Sequence, residues 1–411
     1  MAFEQNDRRI LRELAKQVAE IGDHPRQAER REMWKLHNSL RKTKPMVLVS
    51  PEGSWGEILP HSVLQCTDPL ARGYEYHFRS LIYRWEHLRD DYVILPHLKV
   101  GLAWSHTGWG LSPGYFRSDM ERGAWHIDPP MKDLDDIRKL KRPDIVIDEE
   151  ATQRNFEAIS EAVGDILEVK IYHRMFIWGF TGLANVYMYL RGLDQMMYDM
   201  IERPEWVHQV MKFLADGNMH MLDQVDAYPK LDLDNDDEYI ASGGMGFTDE
   251  LPGPDFDGRV RLRNLWGFGE AQELVGVSGA MHEEFVFQYQ RPLMDRFGLN
   301  CYGCCEPVTD RLDYVLKIPR LRRISISPWA DKRIAAEGLQ NKYIFSWKPN
   351  PAQMCGQFSE DRIRQDIRET LDIAKGCVVE MVLKDTHTCD NDPARLSAWV
   401  RIAEEETGGL D

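Results

Sequence analysis

LNCYGCCEPVTDRLDYVLKIPRLRRISISPWADKRIAAEGLQNKYIFSWKPNP, residues 299–351, sets short strand-like runs against amphipathic stretches in strict alternation. Leu299–Tyr302, Arg323–Ile326 and Tyr343–Trp347 are apolar or β-branched and only four or five residues long. Between them, 308–318 and 331–339 carry apolar residues three and four apart, the spacing of one helix face. Going forward, a helix over 361–374 leads to a strand at 378–383, and a helix around 394–405 closes the chain. Going back, the helix over 279–297 precedes the strand at 299. Pro204 starts a helix over 205–225 that leads to a strand at 231–236, and a helix over 149–163 leads to a strand at 167–172. Six helix-then-strand steps predict parallel strands joined by helical crossovers.

Such a sheet is either open or closed, and two observations favour closure. No G-x-G-x-x-G or G-x-x-x-x-G-K-[ST] loop follows a strand, as an open nucleotide-binding sheet would often show. Strand after strand ends instead in polar residues: WGFTG after 172, DNDDEY at 234–239, YGCCEP at 302–307, SPWAD at 327–331, WKPNP at 347–351 and KDTHTC at 384–389. In a closed barrel these ends ring one mouth, where barrel enzymes place their chemistry. The expectation is an α/β (β/α)8 TIM barrel over 46–411, preceded by a helical extension over 1–45. That extension, with Ile10, Leu11, Leu14, Val18 and Ile21 on one face, would pack on the main body or on a partner subunit, which leaves a homodimer open. The stretch from 50 to about 130, rich in Gly, Pro, Trp and His, reads as loops and strand ends.

Composition narrows the function. No stretch approaches the roughly 18 uncharged apolar residues of a membrane span. A formal net charge of −16 would repel a phosphate backbone, which argues against a nucleic-acid partner. The charged first residues hold no apolar signal core, and seven cysteines are an odd number, so reduced thiols in a soluble cytoplasmic enzyme are expected.

Three groups of residues carry chemistry. Cys304, Cys305 and Glu306 follow one strand, and Lys384, Asp385, His387 and Cys389 follow the last. Thiolate, carboxylate and imidazole are the ligands of zinc, whose catalytic sites use three of them and leave one position open. The competing reading makes the cysteines small buried residues at a tight turn. Asp234, Asp236, Asp237 and Glu238 form an acidic strand end, with Asp236 as the inward catalytic residue. Tyr239 joins it, and the Gly243-Gly244 pair suggests a flap that closes over a ligand. The aromatics Trp178, Phe180 and Trp347 would wall a planar substrate.

Residues 189–222, YLRGLDQMMYDMIERPEWVHQVMKFLADGNMHML, with YGCCEP and THTCDNDPARLSAWVRIAEEE (386–406), resemble the uroporphyrinogen decarboxylase superfamily, which includes the cobalamin-dependent methyltransferases. The resemblance covers residues from about 150 onward and implies a (β/α)8 barrel. Zinc methyltransferases of that group carry His-x-Cys after one strand and a further Cys after the last. By that resemblance Cys304, Glu306 and His387 would hold Zn2+, with Cys305 and Cys389 as alternatives. The implied activity moves a methyl group from a small methylated substrate, such as an aromatic methyl ether in O-demethylation, to the corrinoid of a partner protein. The decarboxylase branch grips its substrate through R-Q-A-G-R-Y; the nearest string here, Arg26-Gln27-Ala28-Glu29-Arg30-Arg31, lacks the glycine and tyrosine. A cofactor-independent decarboxylase, with Asp236 stabilising a protonated intermediate, is the alternative activity.

Overall fold

The computed structural model describes residues 3–41, 43–119, 123, 125–175 and 181–408. In chain order its strands are β1 (Met46–Val49), β2 (His97–Gly101), β3 (Trp104–His106), β4 (Gly114–Arg117), β5 (Trp125–Asp128), β6 (Ile145–Ile147), β7 (Glu168–Tyr172), β8 (Trp266–Gly269), β9 (Leu299–Tyr302), β10 (Leu321–Ile326), β11 (Ile344–Trp347) and β12 (Val378–Leu383). Six form one sheet in the order β1-β12-β11-β10-β9-β8, every neighbour parallel. β2 and β7 form a separate parallel pair, and β3–β6 and β4–β5 are antiparallel pairs. The fold is therefore α/β with a parallel sheet, and among the described residues no continuous ladder closes it into a barrel.

Aspartates stand at both edges of the six-stranded sheet. Beside β1, the Asp91 carboxylate accepts the Val47 N–H at 2.8 Å and Asp90 accepts that of Val49 at 2.9 Å. Beside β8, both oxygens of Asp234 accept the Trp266 N–H at 3.1 Å. Residues 231–236, expected as a strand, make no ladder; they run beside β7 through Asp232 N–H to the His173 carbonyl, 3.2 Å, and His173 N–H to the Asp232 carboxylate, 2.7 Å. A side chain that receives an edge N–H satisfies it as a strand would but passes no register onward, which explains the interruption.

Helices cover the outer face of the sheet. Val47, Val49, Tyr302, Ile324, Ile326, Phe345, Trp347, Met381 and Leu383 pack with residues of the helices Lys332–Leu339, Glu360–Ile373 and Ala394–Thr407. The helices expected over 149–163, 205–225, 331–339, 361–374 and 394–405 are present with ends shifted by at most two residues. Pro69–Tyr83, inside the stretch read as loops, is a helix: the Asp68 carboxylate caps it by accepting the N–H groups of Leu70 and Ala71.

The opening helices belong to the body. Gln5–Gly22 buries Leu11, Ala15 and Val18 against Phe78, Ile82 and Ile159. Pro25–Asn38 brings His37 and Asn38 to the inner face of the sheet: His37 Nε2 lies 3.1 Å from Glu380, and Asn38 bonds Arg323 at 2.7 Å. The expected flap is packed into that same interior. Tyr239 and Met245 pair as a narrow hairpin, residues 242–248 are buried, and Asn38 donates to the carbonyls of Met245 and Phe247 at 2.8 and 2.7 Å.

Candidate active site

The turns after β9 and β12 meet. Three strand spacings separate those strands, roughly 14 Å in a flat sheet, yet Cys305 Sγ lies 3.4 Å from the Asp385 carboxylate and 3.5 Å from Lys384 Nζ. The sheet is curled enough for its carboxyl ends to converge on one mouth. Gly303, at φ +90, makes the bend that sends Cys304 and Cys305 inward, and its Cα faces Ser325, whose hydroxyl donates to the Cys304 carbonyl at 2.9 Å.

Within that mouth the two thiols stand 3.5 Å apart and Lys384 Nζ lies 3.7 Å from Cys304 Sγ and 2.7 Å from both Asp385 oxygens. The two thiols tune each other: the hydrogen bond between them, aided by Lys384, lowers the Cys305 thiol, and the same contact together with burial raises that of Cys304. Burial alone would lower Lys384, but the two sulfurs and Asp385 outweigh it and keep the ammonium charged. Two thiol groups, an ammonium and a carboxylate thus form one hydrogen-bonded cluster at the carboxyl ends of two strands.

Cys304, Glu306 and His387, the ligand set implied by resemblance, are not assembled into a metal site. Glu306 accepts the N–H groups of Ala271 and Cys304 at 3.1 and 2.8 Å, so each of its oxygens is engaged in holding the turn. His387 is exposed, its backbone packed on Gly53. Cys389 is buried and donates to Glu57 at 3.1 Å, and burial pushes its thiol up to about 11. Lys384 Nζ, 3.7 and 3.5 Å from the two sulfurs, brings positive charge to the thiol pair.

Asp236, Asp237 and Glu238 are the one group of three among the described residues whose ligand atoms lie within 4.8 Å of one another. Lys99 already binds all three, at 2.9, 2.6 and 2.8 Å, and His97 lies 3.1 Å from Asp237. Burial raises the Asp236 carboxyl against the pull of Lys99; Asp237 is held down at about 2 despite burial, by His97 and Lys99. This cluster clamps the segment after residue 231 to β2. Tyr239, half-buried, donates to the Ser242 carbonyl at 3.4 Å within the hairpin. Trp347 is buried in the outer sheet–helix layer beneath Lys332, away from the mouth, so it does not wall a substrate. Trp178 and Phe180 lie outside the described residues.

Two further groups at this end are absent from the sequence reading. Lys348 follows β11, is 2% exposed, and donates to Ser346, which donates to Glu380. Burial, with Lys384 and Arg323 nearby, lowers its amine to about 7. Glu270, one residue after β8, is 1% exposed; burial, with Glu273 and Glu306 close by, holds its carboxyl well above the usual range. The string WGFGEAQE (266–273) places two acids at a strand end as DNDDEY does, and that was the available signal.

Compared with protein-family models and with curated proteins, the chain matches none. Among solved structures it is similar to a methyltransferase from Methanosarcina mazei, at 11% sequence identity and a TM-score of 0.49, with 91% of this chain and 97% of that chain covered.

Proposed function

We propose that the chain is a methyltransferase acting at the Cys304–Cys305–Lys384–Asp385 cluster, and that its parallel strands trace a TIM-type barrel whose ladder is interrupted at its aspartate seams. The methyl group would pass from a small methylated substrate to the corrinoid of a partner protein, whose reduced cobalt supplies a strong nucleophile. The observation that carries this reading is the ammonium of Lys384 held by the two cysteine sulfurs and the Asp385 carboxylate at a mouth where strand ends converge. Breaking a heteroatom–methyl bond leaves an electron pair on the heteroatom, and a fixed cation beside it stabilises that charge where water is excluded. Lys384 supplies this cation from the protein itself; Asp385 and Cys305 fix its direction. The decarboxylase reading draws less support, since Asp236 is already committed to Lys99.

The test is methylation of added reduced cobalamin, followed by its absorption spectrum, across methoxyarenes, methylamines and methyl thioethers. At least one donor class is expected to react, and Lys384→Met is expected to lower the rate by about 100-fold, in the range for loss of one charge-stabilising donor. No transfer from any class, or release of carbon dioxide from a carboxylated substrate without cobalamin methylation, would overturn the proposal.

A further inference from the structure

Among the described residues, which include all seven cysteines, only Cys304 and Cys305 have their sulfurs in contact, 3.5 Å apart. Cys66, Cys355 and Cys377 donate to backbone carbonyls, Cys389 donates to Glu57, and Cys301 accepts from Arg323. The turn that carries the pair is pinned on both sides of Cys304: Glu306 accepts its N–H at 2.8 Å, and the Ser325 hydroxyl donates to its carbonyl at 2.9 Å. Two sulfurs set side by side on a fixed turn have already met much of the ordering cost of binding one atom between them. Cys305 is half-buried, so a reagent in the mouth reaches it, and Lys384 Nζ at 3.5 Å favours its ionised form, the one that attacks.

The spacing selects the kind of atom. A direct sulfur–sulfur bond is opposed, because the Cα atoms of adjacent residues stand about 3.8 Å apart, less than the roughly 4.4–6.8 Å that disulfides span. Zinc needs a third protein ligand, and Cys304, Cys305 and Asp385 do not make such a set: among the described residues the one group of three whose ligand atoms all lie within 4.8 Å of one another is Asp236, Asp237 and Glu238. An atom bonded to both sulfurs at about 2.3 Å, as in metal thiolates, would hold them at an angle of roughly 100°. That is narrower than a tetrahedral centre prefers and close to the angle at a pyramidal atom whose lone pair fills one position. Trivalent arsenic is such an atom, and it brings its own third substituent. We propose that Cys304 and Cys305 form a chelating site for trivalent arsenicals, each sulfur making one bond to arsenic. With arsenous acid, two arsenic–hydroxyl bonds break and two arsenic–sulfur bonds form; the two thiol protons leave with the hydroxyls as water, and arsenic stays trivalent. Such binding needs the thiol pair alone and is independent of methyl transfer.

Phenylarsine oxide, which loses its oxygen as water when it joins two thiols, is the probe. Added in slight excess to the reduced full chain, it is expected to leave one phenylarsenic group per chain by intact mass spectrometry, on the peptide that holds Cys304 and Cys305. Because the second bond closes within the protein, the adduct should withstand excess mercaptoethanol and yield to dimercaptopropanol, a competing chelator. Cys304→Ser and Cys305→Ser should each lower the apparent affinity in mercaptoethanol by at least about 100-fold, with thermal unfolding showing that each variant folds. If either does not fold, the peptide that carries the adduct and the response of the unaltered chain to the two competitors decide. An adduct on another cysteine, an adduct that mercaptoethanol removes, or binding that survives the loss of either sulfur overturns the inference. No adduct at all overturns it as well, whether or not cobalamin is methylated.

Discussion

Lys348 shows how one side chain can carry an unmet charge. Glu380, the nearest acid, is already bound by Arg323 at 2.8 Å and by His37 at 3.1 Å, and it stays ionised with a carboxyl held at about 2, against burial, chiefly by Arg323. The Lys348 amine is therefore close to half neutral at pH 7, whereas in the unfolded chain it titrates near 10.4. The sign follows: between about pH 7 and 10.4 the unfolded chain binds more protons than the folded one, so this residue's contribution makes stability rise with pH across that window. Urea unfolding at pH 7 and pH 9 is expected to show that rise, on the order of 2 kcal/mol, and Lys348→Met to flatten it; an unchanged slope in the variant would place the amine in water. What could be read beforehand at this scale was residue type. Cys304, Cys305, Lys384 and Asp385 announce themselves as reactive groups at strand ends, and they meet. Glu306 and His387 are of the same types, but where each points is set by the bends at Gly303 (φ +90) and Asp385 (φ +58), which composition does not encode. Glu270 and Glu273 give only a weak signal, because two acids among small and apolar residues read as an ordinary turn.

At the scale of elements, the hairpin around Tyr239–Met245 is the part whose identity the sequence conveyed and whose place it did not. Two glycines in a row do mark a turn, and with Tyr239 before them they suggest a flap that closes over a ligand. The chain goes inward instead because Asn38, far away in sequence, satisfies two of its carbonyls, and Trp266 a third at 3.0 Å. Gly244 has φ +95, and a Cβ there would stand 2.3 Å from the Arg323 guanidinium. Gly244→Ala is therefore expected to destabilise the protein by about 2 kcal/mol or more, as backbone strain and overpacking add; thermal unfolding checks it, and an unchanged midpoint would show that the hairpin does not dock. The same contrast holds elsewhere. Strands β9 to β12 were legible because their periodicity is local, whereas 231–236 has the residues of a strand but gives its ladder positions to aspartate side chains. The helix Pro69–Tyr83 was missed although Asp68-Pro69 is a proper start signal, its surroundings being rich in turn residues.

For the whole molecule the decisive feature is curvature. Alternating helices and strands announced a parallel sheet, and polar strand ends announced a shared mouth, but closure depends on long-range pairing that a single sequence does not display. Here the seams run through carboxylates, while the six-stranded sheet bends until the turns after β9 and β12 touch. All the proposed chemistry depends on that contact. It is tested directly by replacing Asp385 with cysteine, Asp385→Cys, together with Cys304→Ser, so that residue 305 and residue 385 carry thiols where sulfur and carboxylate now lie 3.4 Å apart. After mild oxidation of the folded chain, mass spectrometry of its peptides should find residues 305 and 385 joined by a disulfide in most molecules. Peptides that remain separate, with both thiols free, would mean that the two turns do not meet.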